Sequence, residues 1–399
     1  MHAVLPLNHK DFIKKAMAVA PYYGFAPLET VIKKYSKNSN RKLNKPIGSS
    51  LEIKTDTFGR EMANILERCK AHNISPETSH ELFYHSTVVP QDKKTATPAH
   101  MHFNLVTLGV QKSIAEALLL RTTGTILKEN GLINHCVHIN SIGDKDSGIK
   151  FTKELQAYLR KNISDIPVST QTVLKKDVFH ALSHLRQKRH PLYNDAPKSI
   201  EFLSSASRKY FQGVLEYLEG TEVSYSIDPR MVGNKDYYRE TVFEIRDTEN
   251  ETDGGYDGVL ARGGRCDEIA RRIYKVPTSI VGITLTVPWK GRVTKSPLPQ
   301  KRGRRPKFFF VQLGMRAKQQ SLGVIELLRK ENIPIHQSIC EDTLSGQLEQ
   351  IKELQVPYAI LMGQKETMDE TVIVRNVDTQ IQEIVPVETL PSYLKQISL

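Results

Sequence analysis

Apolar residues recur at helical intervals from Asp11 to Tyr22 and again from Phe58 to His72, the spacing that lines up one buried helix face. LFYHSTVV and HFNLVTLGV then read as strands flanking a polar loop, and SIAEALLLRTTGTILKEN reads as a helix. VHINSIG is a strand ending in a turn, and the region from Ile149 to Glu219 is mainly helical. DYYRETVFEIRD predicts a strand, and DGVLARGGRCDEIARRI a strand, a turn and a helix. Strands separated by grouped helices, rather than by one helix each, point to a mixed antiparallel sheet.

The pattern changes after Lys307. FFFVQLG is a short apolar run, Gln319 to Asn332 is amphipathic, and IPIHQSI is a second β-like run. SGQLEQIKELQ predicts a helix, YAILMG, TVIVRNV and QIQEIVPV predict three more strands, and ETLPSYLKQI a terminal helix. This is an α/β module of roughly 90 residues, a usual size for one domain. Between the two patterns lies WKGRVTKSPLPQKRGRRPK, broken by Pro297, Pro299 and Pro306, which reads as a boundary. The expected division is a core over 1–288 with a mainly helical insertion at about 149–219, a basic Pro-rich linker over 289–306, and the small domain over 307–399.

At 399 residues the chain is too long for one typical core. Its 39% apolar and 25% charged residues exclude collagen, long disorder and coiled coil. Four widely spaced cysteines without a C-x-x-C pair signal neither a disulfide framework nor a cysteine zinc site, which fits a reducing cytoplasm. The histidines form no HExxH, and His100 and His102 have no third ligand in the pattern, so no metal is expected. The first residues contain no apolar signal core, and no stretch approaches the ~18 apolar residues of a membrane span, so no membrane partner is expected.

The net charge of +12 raises nucleic acid as a partner. It is unevenly spread: residues 307–399 carry 9 basic and 12 acidic side chains, leaving 47 against 32 in residues 1–306. Lys301, Arg302, Arg304 and Arg305 form the densest part of the linker. They read either as phosphate contacts for RNA or as a solvated hinge held extended by its charge.

DPRMVGNKDYYRETVFEI, then LARGGRCDEIARRI, then VGITLTV, in that order, strongly resemble the histidyl-tRNA synthetase family. The likeness continues through YYGFAPLET, LFYHSTVV, SIAEALLL, HINSIGD and YNDAPKSIEFLSSASRKYF, and residues 307–399 are similar to that family's anticodon-binding domain. The resemblance implies an α+β class II synthetase-like core, an antiparallel sheet flanked by helices with a helical insertion, followed by the small α/β anticodon-binding-like domain. It also implies a homodimer that activates histidine with ATP and Mg and charges a tRNA.

Attack of a carboxylate on the α-phosphate builds negative charge that positioned arginines stabilise. Where the family carries those arginines, this chain has Pro90, Gly233 and Trp289. Lys93, Lys94 and Lys235 are candidate substitutes, but a lysine does not reproduce a bidentate arginine fork. In an extended strand Lys235 would share the face of Gly233. Three lost charge-assisted contacts would remove roughly 5 to 9 kcal/mol of transition-state stabilisation if additive. The first motif departs as well, with Val31 where the family has proline.

The resemblance places the amino-acid pocket at Tyr237, Tyr238, Gly263, Gly264, Arg265 and Glu116, with Cys266 replacing a tyrosine. Beside each stands a plainer reading: packed strand aromatics, a Gly-Gly turn, and a core helix with one carboxylate turned outward. Three functional readings follow. The first is a synthetase-like protein with lost or weakened adenylation that binds tRNA or a protein partner. The second is an active histidine-tRNA ligase with an unusual phosphate site, and only this reading calls for ATP and Mg. The third is a synthetase-like regulatory subunit of ATP phosphoribosyltransferase, against which the presence of residues 307–399 argues.

Overall fold

The computed structural model describes residues 8–36, 56–75, 80–91, 99–221, 223–249, 258–289 and 306–397. In chain order the first elements are α1 (His9–Val19), β1 (Ala26–Pro27), α2 (Leu28–Ser36), α3 (Thr57–Ala71), β2 (Glu81–Val89), β3 (His100–Leu108), α4 (Ile114–Glu129) and β4 (His135–Gly143). The insertion follows as α5 (Lys145–Lys161), α6 (Val168–Leu174), α7 (Val178–Gln187), α8 (Leu192–Asp195) and α9 (Ser205–Glu219). Then come β5 (Tyr225–Ile227), β6 (Glu240–Asp247), β7 (Val259–Arg265), α10 (Asp267–Tyr274) and β8 (Ile280–Pro288).

The sheet order is β1-β2-β3-β8-β7-β6-β4-β5, antiparallel from β2 through β4 and parallel between β4 and β5. Its central strand β8 reads IVGITLTVP, nearly all buried, as expected for a strand covered on both faces. Asp56 starts α3 as its N-cap, accepting from the Gly59 amide at 2.7 Å. Asp144 caps α5 and Asp177 caps α7 in the same way. The insertion helices have their own core around Phe151, Leu155, Phe179 and Leu182.

The segment DYYRETVFEIRD differs from its strand prediction. The strand begins only at Glu240, and residues 235–237 form a turn. The cause is local: the Asn234 side chain accepts the Asp236 amide, and its carbonyl accepts the amides of Tyr237 and Tyr238. Lys235 therefore does not share a strand face with Gly233.

The remaining elements are β9 (Phe308–Gln312), α11 (Met315–Lys330), β10 (Ile335–Gln337), α12 (Leu344–Leu354), β11 (Tyr358–Met362), α13 (Gln364–Met368), β12 (Thr371–Asn376), β13 (Gln382–Pro386) and α14 (Leu390–Ile397). They build a five-stranded sheet of order β10-β9-β11-β12-β13, parallel around β9 and antiparallel beyond β11. The short helix α13 has no counterpart in the sequence reading.

The chain divides into two compact units. The first takes in Pro27–Leu218, Val223–Val293 and the start through His9; the second takes in Lys10–Ala26, Glu219–Glu222 and Thr294–Leu399. The amino-terminal segment thus belongs with the second sheet's unit, where the Tyr23 hydroxyl donates to Glu326 at 2.9 Å.

Candidate active site

The sheet end formed by the start of β6 and the end of β7 gathers the predicted pocket residues. Arg265 closes β7 with a side chain only 2% exposed, facing a Glu116 carboxylate that is fully buried in α4. Its Nε donates to Glu116 Oε1 at 3.0 Å and its Nη2 to Oε2 at 3.2 Å. Tyr210 of α9 donates to the same carboxylate at 2.8 Å and accepts from Arg265 at 2.6 Å, while Thr241 donates to Oε1 at 3.0 Å. The Val110 carbonyl takes Arg265 Nη1 at 3.2 Å. Glu116 is therefore not the outward carboxylate of a core helix; it is the acceptor centre of a closed network, as a buried charge requires.

The aromatic pair is closed as well. Tyr237 is 1% and Tyr238 5% exposed. The Tyr237 hydroxyl donates to Asp56 at 2.5 Å, and burial drives its pKa well up. The Tyr238 ring stacks on Phe58 at 5.4 Å with an interplanar angle of 8°. Glycine is required on two sides of that ring. A Cβ at Gly233 would lie 2.1 Å from Tyr238 Cδ2, and one at Gly264 would lie 2.7 Å from Tyr238 Cε1. Gly263 serves a different contact, since a Cβ there would stand 2.2 Å from the Gly282 carbonyl. Cys266 is wholly buried and its thiol pKa is pushed far up by desolvation.

A sequence profile described as the anticodon binding domain matches residues 307–397. Over 331 residues the chain is 25% identical to histidine-tRNA ligase 1 of Shouchella clausii, covering 81% of this chain and 76% of that protein. It is 24% identical to the Bacillus subtilis histidine-tRNA ligase over 84% of this chain and 77% of the relative. The Chlorobium phaeobacteroides ligase is 23% identical, with 93% and 89% covered. Over most of its length the chain is similar to the histidyl-tRNA synthetase family. Its mixed antiparallel sheet with flanking helices, followed by a second sheet in the anticodon-binding domain, is the class II fold of that family. The crystal structure of apo S. aureus histidyl-tRNA synthetase aligns over 98% of this chain and 97% of its own, at 18% identity and a TM-score of 0.49.

Of the three positions where the synthetase family has arginines, Pro90 lies exposed just past β2. Trp289 packs its ring 4.2 Å from that of His9, and its amide donates to the Ala99 carbonyl at 3.0 Å. Gly233 stands where no side chain fits without moving Tyr238. Among the proposed substitutes, Lys235 lies 3.7 Å from Asp177 at the start of α7. Lys93 and Lys94 fall outside the described residues, as do Lys301, Arg302, Arg304 and Arg305 of the linker. No group of three or more His, Cys, Asp or Glu among the described residues is placed to hold a metal ion. No helix among them is long and apolar enough to cross a membrane.

Four groups of consequence were missed in the sequence. Asp56 and Phe58 hold and stack the two tyrosines from α3; the only local signal was Asp56 at N-cap spacing before an apolar run. Tyr210 lies within the segment YNDAPKSIEFLSSASRKYF that carries the resemblance, but nothing in that segment marked it as a pocket residue. Glu240 opens β6 with φ of +53°, rare for a side chain other than Asn, Asp or His. It accepts from Ser207 at 2.9 Å, its Oε2 is buried without a hydrogen-bond partner, and burial raises its pKa to about 6. Across the sheet, Glu61 of α3 accepts from Asn104 at 3.1 Å and lies 3.2 Å from His102 Nδ1. His102 is thus part of a buried polar cluster, with Thr284 donating to Asn104 at 2.7 Å.

Proposed function

We propose that this protein is a member of the histidyl-tRNA synthetase family that does not form histidyl-adenylate and acts by binding, with tRNA as the first partner. The reading rests above all on the Tyr238 ring, which sits between Gly233 and Gly264 and against Phe58. In the family's pattern Gly233 is an arginine position. Here the backbone at that position has been given over to packing, so no cation can be added without displacing the ring. The pocket glycines and tyrosines are retained, yet they satisfy one another. Arg265 and Glu116 likewise consume each other's hydrogen-bonding capacity, leaving neither free to recognise an amino acid.

Loss of adenylation leaves the features that suit an RNA-binding role: the excess of 47 basic over 32 acidic residues in positions 1–306 and the cationic linker. Phosphate contacts of this kind supply affinity without sequence information. Assembly as a homodimer belongs to the same reading, with a protein partner as the further route by which a non-adenylating chain would act.

The test is histidine-dependent exchange of pyrophosphate into ATP with folded full-length protein. The expected result is exchange at background level, together with tRNA binding that weakens steeply as salt is raised. Exchange near the rate of an ordinary synthetase would make the protein an ATP- and Mg-dependent ligase in which Lys93, Lys94 or Lys235 replaces the arginines. Salt-insensitive binding would remove the phosphate-contact account.

A further inference from the structure

Beside the closed aromatic pair lies an open cleft of about 310 Å³, formed by the end of β4, α5, α7 and the turn before β6. It is lined by Lys145 and Lys153 of α5 and by Lys235 and Arg239 of the turn, against the carboxylates of Asp144 and Asp236. The charges do not cancel internally. Asp144 is taken up by the Ser147 amide at 2.8 Å and the Ser204 hydroxyl at 2.6 Å, so it serves as the cap of α5.

Arg239 is the most informative of the cations. It is partly buried, and its Nη1 donates to the carbonyls of Lys235 at 3.0 Å and Tyr238 at 2.6 Å. Both are turn carbonyls, and among the described residues no carboxylate lies within ion-pair distance of the guanidinium. Desolvation lowers its pKa. Glu268 and Asp236 act on its charge from beyond ion-pair distance, so a directly bonded anion would still be gained by this partly desolvated cation. Lys145 and Lys153 are exposed and likewise have no ion-pair partner among the described residues. The floor is different in character, with the largely buried Phe179 and Tyr238 among its lining residues. A cationic rim over an apolar and aromatic floor suits a ligand with a charged end and a flat body.

We infer that this cleft binds a small aromatic phosphomonoester, its phosphate held by Lys145, Lys153 and Arg239 and its ring lying toward Phe179 and Tyr238. Lysines act on phosphate as point charges, and the arginine adds directed donors. The cleft shares Tyr238 with the Gly233 position, while Gly233, Glu116 and Arg265 are not among its lining residues. It stands whether or not adenylation is absent.

The probe is phenyl phosphate, titrated calorimetrically into the full chain, with inorganic phosphate and phenol as its two halves. The expected result is saturable binding of one phenyl phosphate per chain, tighter than either half. Lys145→Ser with Lys153→Ser should weaken it at least ~10-fold, because two charge-assisted contacts are lost. Both side chains are exposed, so the melting temperature without ligand should not change. Arg239→Gln provides an independent loss of affinity. Binding no tighter than that of inorganic phosphate would overturn the aromatic part of the inference. Absence of saturation, or equal affinity in parent and variants, would overturn the site.

Discussion

Arg265 and Glu116, 149 positions apart in the chain, meet in a bidentate ion pair whose side chains are 2% and 0% exposed. Removing either partner strands a buried charge. Glu116→Ala should destabilise the fold by ~3 to 5 kcal/mol. The Glu116→Leu, Arg265→Met double variant should cost less than the sum of the two single changes. Urea denaturation of the four proteins gives the coupling directly.

Gly233→Arg, the change that restores the family's residue, should not restore adenylation. Its Cβ would stand 2.1 Å from the Tyr238 ring, so the ring must leave the core, at a cost of at least ~1 to 3 kcal/mol. The expected outcome is a lower melting temperature and no histidine-dependent pyrophosphate exchange.

Phe58→Ala should remove the stack on Tyr238 and leave a cavity, destabilising by ~3 to 5 kcal/mol. Part of that loss should be recovered by adding an apolar or imidazole-sized molecule. A melting-temperature series with benzene and with imidazole measures it.

Glu240 should make stability fall as pH rises. Burial lifts its carboxyl from about 4.5 to about 6, so the folded state holds a proton that the unfolded state has released. The stabilisation is complete below pH ~4.5 and lost as pH passes ~6, a change of roughly 2 kcal/mol. His85 works in the opposite sense, since burial lowers its pKa to about 4 and stability is lost as pH falls from about 6.5. The difference between parent and Glu240→Gln across pH 4 to 8, measured by urea denaturation, isolates the glutamate.

Neutralising Lys301, Arg302, Arg304 and Arg305 together should weaken RNA binding uniformly across sequences. It should also flatten the dependence of affinity on salt, since each lost phosphate contact lowers the slope by ~0.9 for a duplex. Filter binding at several salt concentrations checks both. Unchanged affinity would make the linker a hinge alone.

Helices and strands were legible where one element's own spacing sets them. α3, α4 and, α13 apart, the elements after Lys307 follow from the apolar pattern, and the family motifs, VGITLTV of β8 among them, stand in order along the sequence. The strand predicted across Tyr237 and Tyr238 was not, because Asn234 makes a turn that competes with it.

Residue types alone showed that cations are missing at Pro90, Gly233 and Trp289, since no arrangement of neighbours turns a proline, glycine or tryptophan into a positive charge. They did not show what fills the space. That Gly233 is shut by Tyr238 depends on the local turn at Asn234, whereas that Phe58 backs the same ring and that Glu116 faces inward to Arg265 depend on which strands and helices meet across 149 to 180 residues of chain. Side-chain volume and burial are properties of the packed interior. A glycine in a motif reads the same whether the space beside it is open or holds a ring, and only the fold distinguishes the two.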